Sequence, residues 1–294
     1  MSVRKRKLIP YLLIAPNILI VVLFAIYPLI ANLFTSFTDG SFGMTNFIGF
    51  DNYVRLFQDR SFSPSLINTL WYSLYLSVPT LVLSLLLAVG LNSVIHLKST
   101  LRSSYLLPHL FSWVVIGLIW KWMYSSNYGI LNALLERIGI PAQRWLLNPK
   151  MTLPCVAFTG IWANVGYYMV IFLTGLQSIS PNYYEAAEID GASGVKQFLY
   201  ITIPSLRPII LLVINLVVIA SFRVFDQIFV MTGGGPGRAS FVMVLYIYIK
   251  GMQEGELGYA SALSVIFFCV LMLVTCLLRL LLRDREQESR NEVK

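Results

Sequence analysis

Charge is what this sequence has least of. Asp, Glu, Lys and Arg make up 12% of its 294 residues, about half the share of an ordinary soluble domain. Between Arg60 and His96, and again between Lys150 and Glu185, none of the four occurs. Segments that long with nothing to solvate them do not form the surface of a water-soluble globule. Histidine is scarcer still. His96 and His109 are the only two, and neither has a Cys, His or carboxylate at ligand spacing, so no metal site is expected. The three cysteines, Cys155, Cys269 and Cys276, all fall in apolar runs; they read as small core residues, not as a disulfide framework or a metal set. There is no Gly-x-Ser-x-Gly, no His-Glu-x-x-His and no pair of carboxylates within an apolar run, so no catalytic residues are expected either. The glycine-rich stretch TGGGPGRAS, Thr232 to Ser240, fails as a phosphate cradle: Gly237 is followed by Arg238 and Ala239 where a Walker loop needs Lys and then Ser or Thr. It reads as a turn.

What the sequence has in abundance is hydrophobic length. Apolar residues make up 57% of the chain, with a mean hydropathy of +0.71. About 20 apolar residues cross the hydrocarbon core as a helix, which satisfies its own backbone where no water can. Six such runs are present, at Leu8–Phe34, Leu66–Ile95, Tyr105–Tyr124, Met151–Gln177, Pro208–Met231 and Tyr259–Leu282. The expected fold class is an all-α membrane protein of six transmembrane helices, forming one transmembrane domain over residues 1–294. The opening MSVRKRKLIPYLLIAP has the order of a signal peptide, but its apolar run is too long and lacks a clear small-x-small cleavage site, so it reads as the first span.

Orientation follows from the cations, which resist transfer across the membrane. With the N-terminus inside, the inner flanks hold thirteen, among them Arg4, Lys5, Arg6 and Lys7, against seven in the outer loops, while Lys121 and Arg223 fall within spans. Both termini are therefore expected in the cytoplasm. The net charge of +8 is accounted for by these flanks and by contact with anionic membrane lipid; no nucleic-acid partner is implied.

One polar segment stands out: SPNYYEAAEIDGASGVKQFLYITIPSLRP, Ser180 to Pro208. Ser180 and Pro181 suit the cap and first position of a helix continued by Glu185, Ala186, Ala187 and Glu188. Gly191 ends it, and Ser193 can cap a second short helix that Pro204 and Pro208 limit. An ordinary solvated loop would serve as well. Two features favour a docking surface: Ala186 and Ala187 leave room for another protein to approach, and Glu185, Glu188 and Asp190 have the wrong sign for a loop held inside by positive charge alone.

Here the sequence resembles a known family. Glu185, Ala186 and Ala187, then Gly191, then Ile201, Thr202, Ile203 and Pro204 match, at every spacing, the signature of the membrane subunits of binding-protein-dependent ABC importers, with Ile203 where the family prefers Leu. FRVFDQIFVMTGGGP (Phe222–Pro236), GYASALS (Gly258–Ser264) and IGFDNYVRLF (Ile48–Phe57) are similar to the sugar-transporting branch and, within it, to the maltose-permease type of subunit.

The resemblance implies the fold of a type I importer permease in a bacterial or archaeal cytoplasmic membrane, without an ATPase site or cofactor of its own. Its implied partners are a second permease subunit, an ATPase homodimer that binds ATP and Mg, an extracytoplasmic solute-binding protein and a sugar substrate. It implies that the loop 180–207 docks into a cleft on the ATPase, with Glu185, Ala186, Ala187, Glu188, Asp190 and Gly191 as coupling residues. A sugar is held by aromatic faces and by groups that exchange hydrogen bonds with hydroxyls, so intramembrane polar and aromatic residues become substrate-path candidates. Asn164, Tyr167 and Tyr168 share a helical face with Trp162 nearby, and Asn215 shares one with Ile219, Phe222 and Asp226. Each could equally pack between helices. Arg223 and Asp226, three apart, are expected to pair with each other; the rival reading makes Arg223 the counter-charge of an anionic cargo such as a glycerol phosphodiester or a uronate oligosaccharide. Lys121 is expected to snorkel. A stand-alone channel would also use six spans but needs no docking loop.

Overall fold

A computed structural model describes residues 14–40, 46–93 and 98–291. The cations Arg4 to Lys7, residues 8–13 of the expected first span, His96 and Lys294 lie outside the described residues. The helices are, in order, α1 (Ile14–Thr35), α2 (Asp51–Gln58), α3 (Phe62–Ser93), α4 (Lys98–Leu110), α5 (Trp113–Met123), α6 (Ile130–Arg137), α7 (Pro149–Leu176), α8 (Pro181–Ile189), α9 (Gly194–Phe222), α10 (Asp226–Met231), α11 (Met243–Tyr248) and α12 (Leu257–Asn291). An isolated bridge between Thr38 and Phe47 is the only β-pairing among the described residues. Five helices, α1, α3, α7, α9 and α12, are long and apolar enough to cross a membrane, and α4 with α5 makes a sixth if the bent pair is one span.

Two expected spans are corrected. The third, Tyr105–Tyr124, is broken: α4 and α5 meet at 93°, because Ser112 is extended (φ −60°, ψ 136°). The fifth begins well before Pro208 and stops at Phe222. Pro204 and Pro208 do not limit it, because the turn Phe198–Thr202 is widened to the π form, with the Ile203 N–H reaching the Phe198 carbonyl. A local widening of this kind re-seats carbonyls around a proline that offers no N–H. At the other end Phe225 leaves the helical region (φ −142°, ψ −63°), so Asp226–Met231 is a separate short helix.

The contacts define two compact units. One comprises the described residues up to Phe62 with Tyr246–Val270. In it the buried Asn52 ties the end of α1 to α2, its Nδ2 donating to the carbonyls of Ser36 (2.9 Å) and Thr38 (2.8 Å). Backbones cross closely beyond that point: a Cβ on Gly258 would lie 2.0 Å from the Thr38 carbonyl oxygen, and one on Gly40 2.1 Å from the Gly258 nitrogen. Only glycine fits at either position.

The other unit comprises Ser63–Leu245 and the described residues from Leu271 on. Its centre is α7, the most buried of the long helices. Asn148 caps α7 by accepting from the Lys150 amide at 3.0 Å, with Pro149 in the first position. α4 crosses α7 at Gly166, where a Cβ would lie 1.8 Å from the Tyr105 carbonyl oxygen. α5 packs on α10 through Gly117, against the side chains of Val230 and Met231. Lys121 reaches back to the Val230 carbonyl at 2.9 Å. Of the cysteines, Cys155 is buried in α7, whereas Cys269 and Cys276, expected as core residues, lie on exposed faces of α12; a residue type favoured in interiors need not face the interior of its own chain.

Candidate functional site

The segment after α7 forms the expected helix–turn–helix. Ser180 stands at the cap of α8 with Pro181 first, though neither Ser180 nor Ser193 makes a side-chain capping bond. α8 buries none of its residues. Glu185, Ala186, Glu188 and Asp190 are exposed and Ala187 is half-buried. No ion pair among the described residues involves the three carboxylates. Ile189 is 87% exposed, and Tyr200, Val195 and Tyr183 are also well exposed. Exposed apolar side chains thus alternate with carboxylates that make no ion pair on one short helix, the composition expected of an interaction surface.

The turn that ends α8 is rigid. Gly191 has φ +74°, its N–H bonds the Glu188 carbonyl (3.0 Å), and the Ala192 N–H reaches the Ala187 carbonyl (2.8 Å), which together form a Schellman motif. Nothing lies within 4 Å of the place a Gly191 Cβ would take, so the constraint is the backbone angle alone. The Tyr184 hydroxyl meets the Thr202 hydroxyl at 2.9 Å and Gln197 Nε2 donates to the Ala192 carbonyl at 3.2 Å. These bonds tie α8 and its turn to the start of α9.

Away from this loop, α3, α7, α9 and the two helix breaks enclose a cavity of about 400 Å³. The substrate-path candidates divide here. Asn164, Tyr167 and Tyr168 line it, as do Arg223 and Asp226. Trp162 does not; it makes an edge contact with Trp120 at 5.6 Å. Asn215 commits its amide to the Leu211 carbonyl one turn back, at 2.8 Å. Phe222 is fully buried and lines a separate apolar cavity with Ser73 and Ser77. The face expected to run from Asn215 to Asp226 fails because the helix ends between Phe222 and Asp226.

For the same reason Arg223 and Asp226 do not pair. The ion pairs among the described residues join Arg55 to Glu256 and Lys250 to Glu254 and Glu256. Arg223 is instead the C-cap of α9 and Asp226 the first residue of α10. Each sits at the helix end of opposite sign. Three further lining residues went unnoticed in the sequence. His109, brought to the cavity by the α4–α5 bend, stacks on Tyr167 (4.4 Å, 13°) and has a buried Nδ1 without a partner. Tyr72, wholly buried, donates to Gln227 Oε1 at 2.7 Å. Ring faces, amides and hydroxyls around a cavity between broken helices can bind a polar solute.

The glycine-rich stretch is a turn, with positive φ at Gly233, Gly234 and Gly237. It is held by Thr232 and Ser240, whose hydroxyls meet at 2.8 Å, and by Asn68, which donates to the Arg238 carbonyl at 2.9 Å.

Comparison with known proteins places the chain in a family. Residues 59–287 match the family described as binding-protein-dependent transport system inner membrane component. The chain is 32% identical over 285 residues to the sulfoquinovosyl glycerol transport system permease protein SmoG of Agrobacterium fabrum, covering 95% of this chain and 92% of that one. It is 32% identical over 273 residues to the arabinooligosaccharides transport system permease protein AraP of Bacillus subtilis, covering 92% and 87%. Among solved structures it superposes with a TM-score of 0.84, at 25% identity and covering 94% of each chain, on a chain of a bacterial alginate ABC transporter in complex with an alginate pentasaccharide-bound periplasmic protein.

Proposed function

The chain belongs to the family of inner membrane components of binding-protein-dependent transport systems and so is a permease subunit of an ABC importer; we propose that it imports a sugar or oligosaccharide handed over by an extracytoplasmic binding protein. It would do so beside a second permease subunit, driven by an ATPase pair that binds the ATP and Mg. Both termini and the loop 180–207 would lie in the cytoplasm and the Gly233–Gly237 turn outside.

The observation that carries this reading is the exposed α8 with its locked Gly191 turn. Closure of an ATPase pair on ATP would draw the docked α8 with it, and the bonds from Tyr184 to Thr202 and from Gln197 to Ala192 would turn α9. α9 and its break line the cavity, so the motion would reach the cargo site directly. A saccharide cargo is supported by the His109–Tyr167 stack and by Asn164 and Tyr168 beside it, and by the cargoes named for the relatives. Hydrolysis of ATP would fall to the partner.

Purification in mild detergent with the products of the neighbouring genes, followed by reconstitution into liposomes, tests this. An ATPase and a second permease should copurify, and loaded binding protein should stimulate ATP hydrolysis and uptake together. Solute flux through this chain alone, independent of ATP, would establish a stand-alone channel instead.

A further inference from the structure

The cavity contains a cation and a carboxylate that do not neutralise each other. Phe225 breaks the helix between Arg223 and Asp226, and the helix ends supply each with opposite partial charge. The exposed guanidinium therefore makes no ion pair with a described residue. An arginine in a membrane-spanning bundle that folding does not pair is expected to meet a ligand, and its planar fork of N–H donors suits an oxyanion.

Its neighbour is set in the same sense. Gln227 is buried, and the Tyr72 hydroxyl occupies its Oε1. The amide orientation is thereby fixed, and Nε2, a donor, is what remains for the cavity. Gly160 closes the pair in: a Cβ there would lie 3.1 Å from the Tyr72 hydroxyl and 3.4 Å from Gln227 Oε1. Trp113 also borders the cavity; its indole N–H can only donate. Asp226 is the acceptor among the charged groups, and Asn164, whose Nδ2 donates to the Gly160 carbonyl at 2.9 Å, keeps its Oδ1 as a further acceptor. A neutral sugar, whose hydroxyls both give and take hydrogen bonds, would leave the Arg223 guanidinium without an opposite charge.

We propose that the cavity takes an anionic sugar: Arg223 receives its carboxylate or sulfonate group, the Tyr72-oriented Gln227 amide donates a further hydrogen bond, and Asp226 accepts from its hydroxyls. This rests on the cavity being the cargo site. The stacked His109 and Tyr167 supply a face for the ring, and the fixed donors require no reorganisation when the anion arrives.

Equilibrium binding to the assembled complex in nanodiscs, without nucleotide, tests the assignment with two matched pairs of probes: digalacturonate against galactobiose, and sulfoquinovose against glucose. The acidic member of at least one pair should bind roughly tenfold to a hundredfold more tightly, the range of a charge-assisted hydrogen bond; the pair showing the larger preference identifies the anion. R223Q should abolish the preference, so that the acidic and neutral members of the pair bind alike. R223K, which keeps the charge and loses the fork, should keep part of the preference and guards against a folding defect in R223Q. Equal binding within both pairs, or a preference that survives R223Q, overturns the anionic assignment while the cavity still holds sugar. Failure of every probe to bind, with Asn164→Ala and Tyr167→Ala leaving uptake by the complex intact, overturns the cargo site itself.

Discussion

Asp59 accepts a hydrogen bond of 2.7 Å from the hydroxyl of Tyr259, 200 positions further along the chain. The same carboxylate accepts from the Tyr246 hydroxyl and from the Ser61 amide at 2.7 Å. Arg55 lies over the Tyr259 ring at 4.3 Å while its guanidinium bonds Glu256. The stretches Ile48–Phe57 and Gly258–Ser264, which resemble the sugar-transporting branch in sequence, are thus two halves of one clasp. Gly258 admits the crossing backbone, Tyr259 supplies the hydroxyl and Arg55 covers its ring.

The clasp makes stability depend on pH in a defined window. Burial acts to raise the Asp59 pKa, but the bonds from Tyr246, the Ser61 amide and Tyr259 outweigh it and hold the group at about 2, below the ordinary 3.8. A depressed carboxylate pKa contributes stability in full above the unfolded value and loses it as pH falls through the folded one. The melting temperature of the purified complex should therefore fall between about pH 4 and pH 2 more steeply for the wild type than for Asp59→Asn. Tyr259→Phe, which removes a bond to a charged group, should cost about 1.5–3 kcal/mol at neutral pH. Identical pH slopes for wild type and Asp59→Asn would show that the clasp is energetically idle.

Gly166 is the point where α4 and α7 touch backbone to backbone. A methyl group 1.8 Å from the Tyr105 carbonyl oxygen has no flexible side chain to push aside, so the helices must part. Overpacking of this kind costs about 1–3 kcal/mol or more. Because α4 carries His109 and α7 carries Tyr167, parting them also opens the cavity wall. Gly166→Ala should reduce both the yield of folded complex and cargo binding, whereas Gly90→Ala, at a site with nothing within 4 Å, should leave both unchanged. Wild-type behaviour of Gly166→Ala would contradict the crossing.

The membrane fold was legible because each long helix contains an apolar run with few or no charges, and the loop 180–207 because its polarity interrupts that pattern. The two helix breaks were not. Phe111–Ser112 and Arg223–Val224–Phe225 carry neither Gly nor Pro, and such breaks are stabilised by packing against helices distant in sequence. With the breaks hidden, Arg223 and Asp226 looked like neighbours on one helical face, and His109 had no visible partner. Tyr72 was silent for a different reason, being one of several hydroxyls in a long apolar run. Gln227 could have been noticed, since it adjoins Asp226 as a third polar residue in an otherwise oily segment.

Topology can be read by labelling. In a background with Cys155, Cys269 and Cys276 replaced, a cysteine at position 235 suits the turn, since Gly235 does not have positive φ and a Cβ there meets the Thr232 carbonyl oxygen at no less than 3.4 Å. Gly235→Cys should react with an impermeant thiol reagent added to intact cells, and Glu188→Cys should react only after the membrane is opened. The reverse pattern would invert the chain.

Gly191 gives the sharpest test of coupling, because its surroundings separate backbone from bulk. With φ at +74° and open space where a side chain would project, any L-residue incurs only the left-handed backbone cost, about 1–2 kcal/mol, which Asn tolerates best. The effect on folding should be small and alike across variants, so the permease should remain in the membrane in each. Coupling should instead follow the turn and the docking face. Gly191→Asn should keep most of the cargo-stimulated ATPase activity and uptake. Gly191→Ala should lose part of both, as the Schellman bonds of Gly191 and Ala192 loosen. Gly191→Leu, which adds a side chain projecting from the exposed turn, should abolish both while leaving basal ATPase activity in the complex. Normal transport by Gly191→Leu would remove the loop from the coupling path, and an Asn variant as inactive as the Leu variant would show that the turn must carry no side chain, whatever its backbone angle.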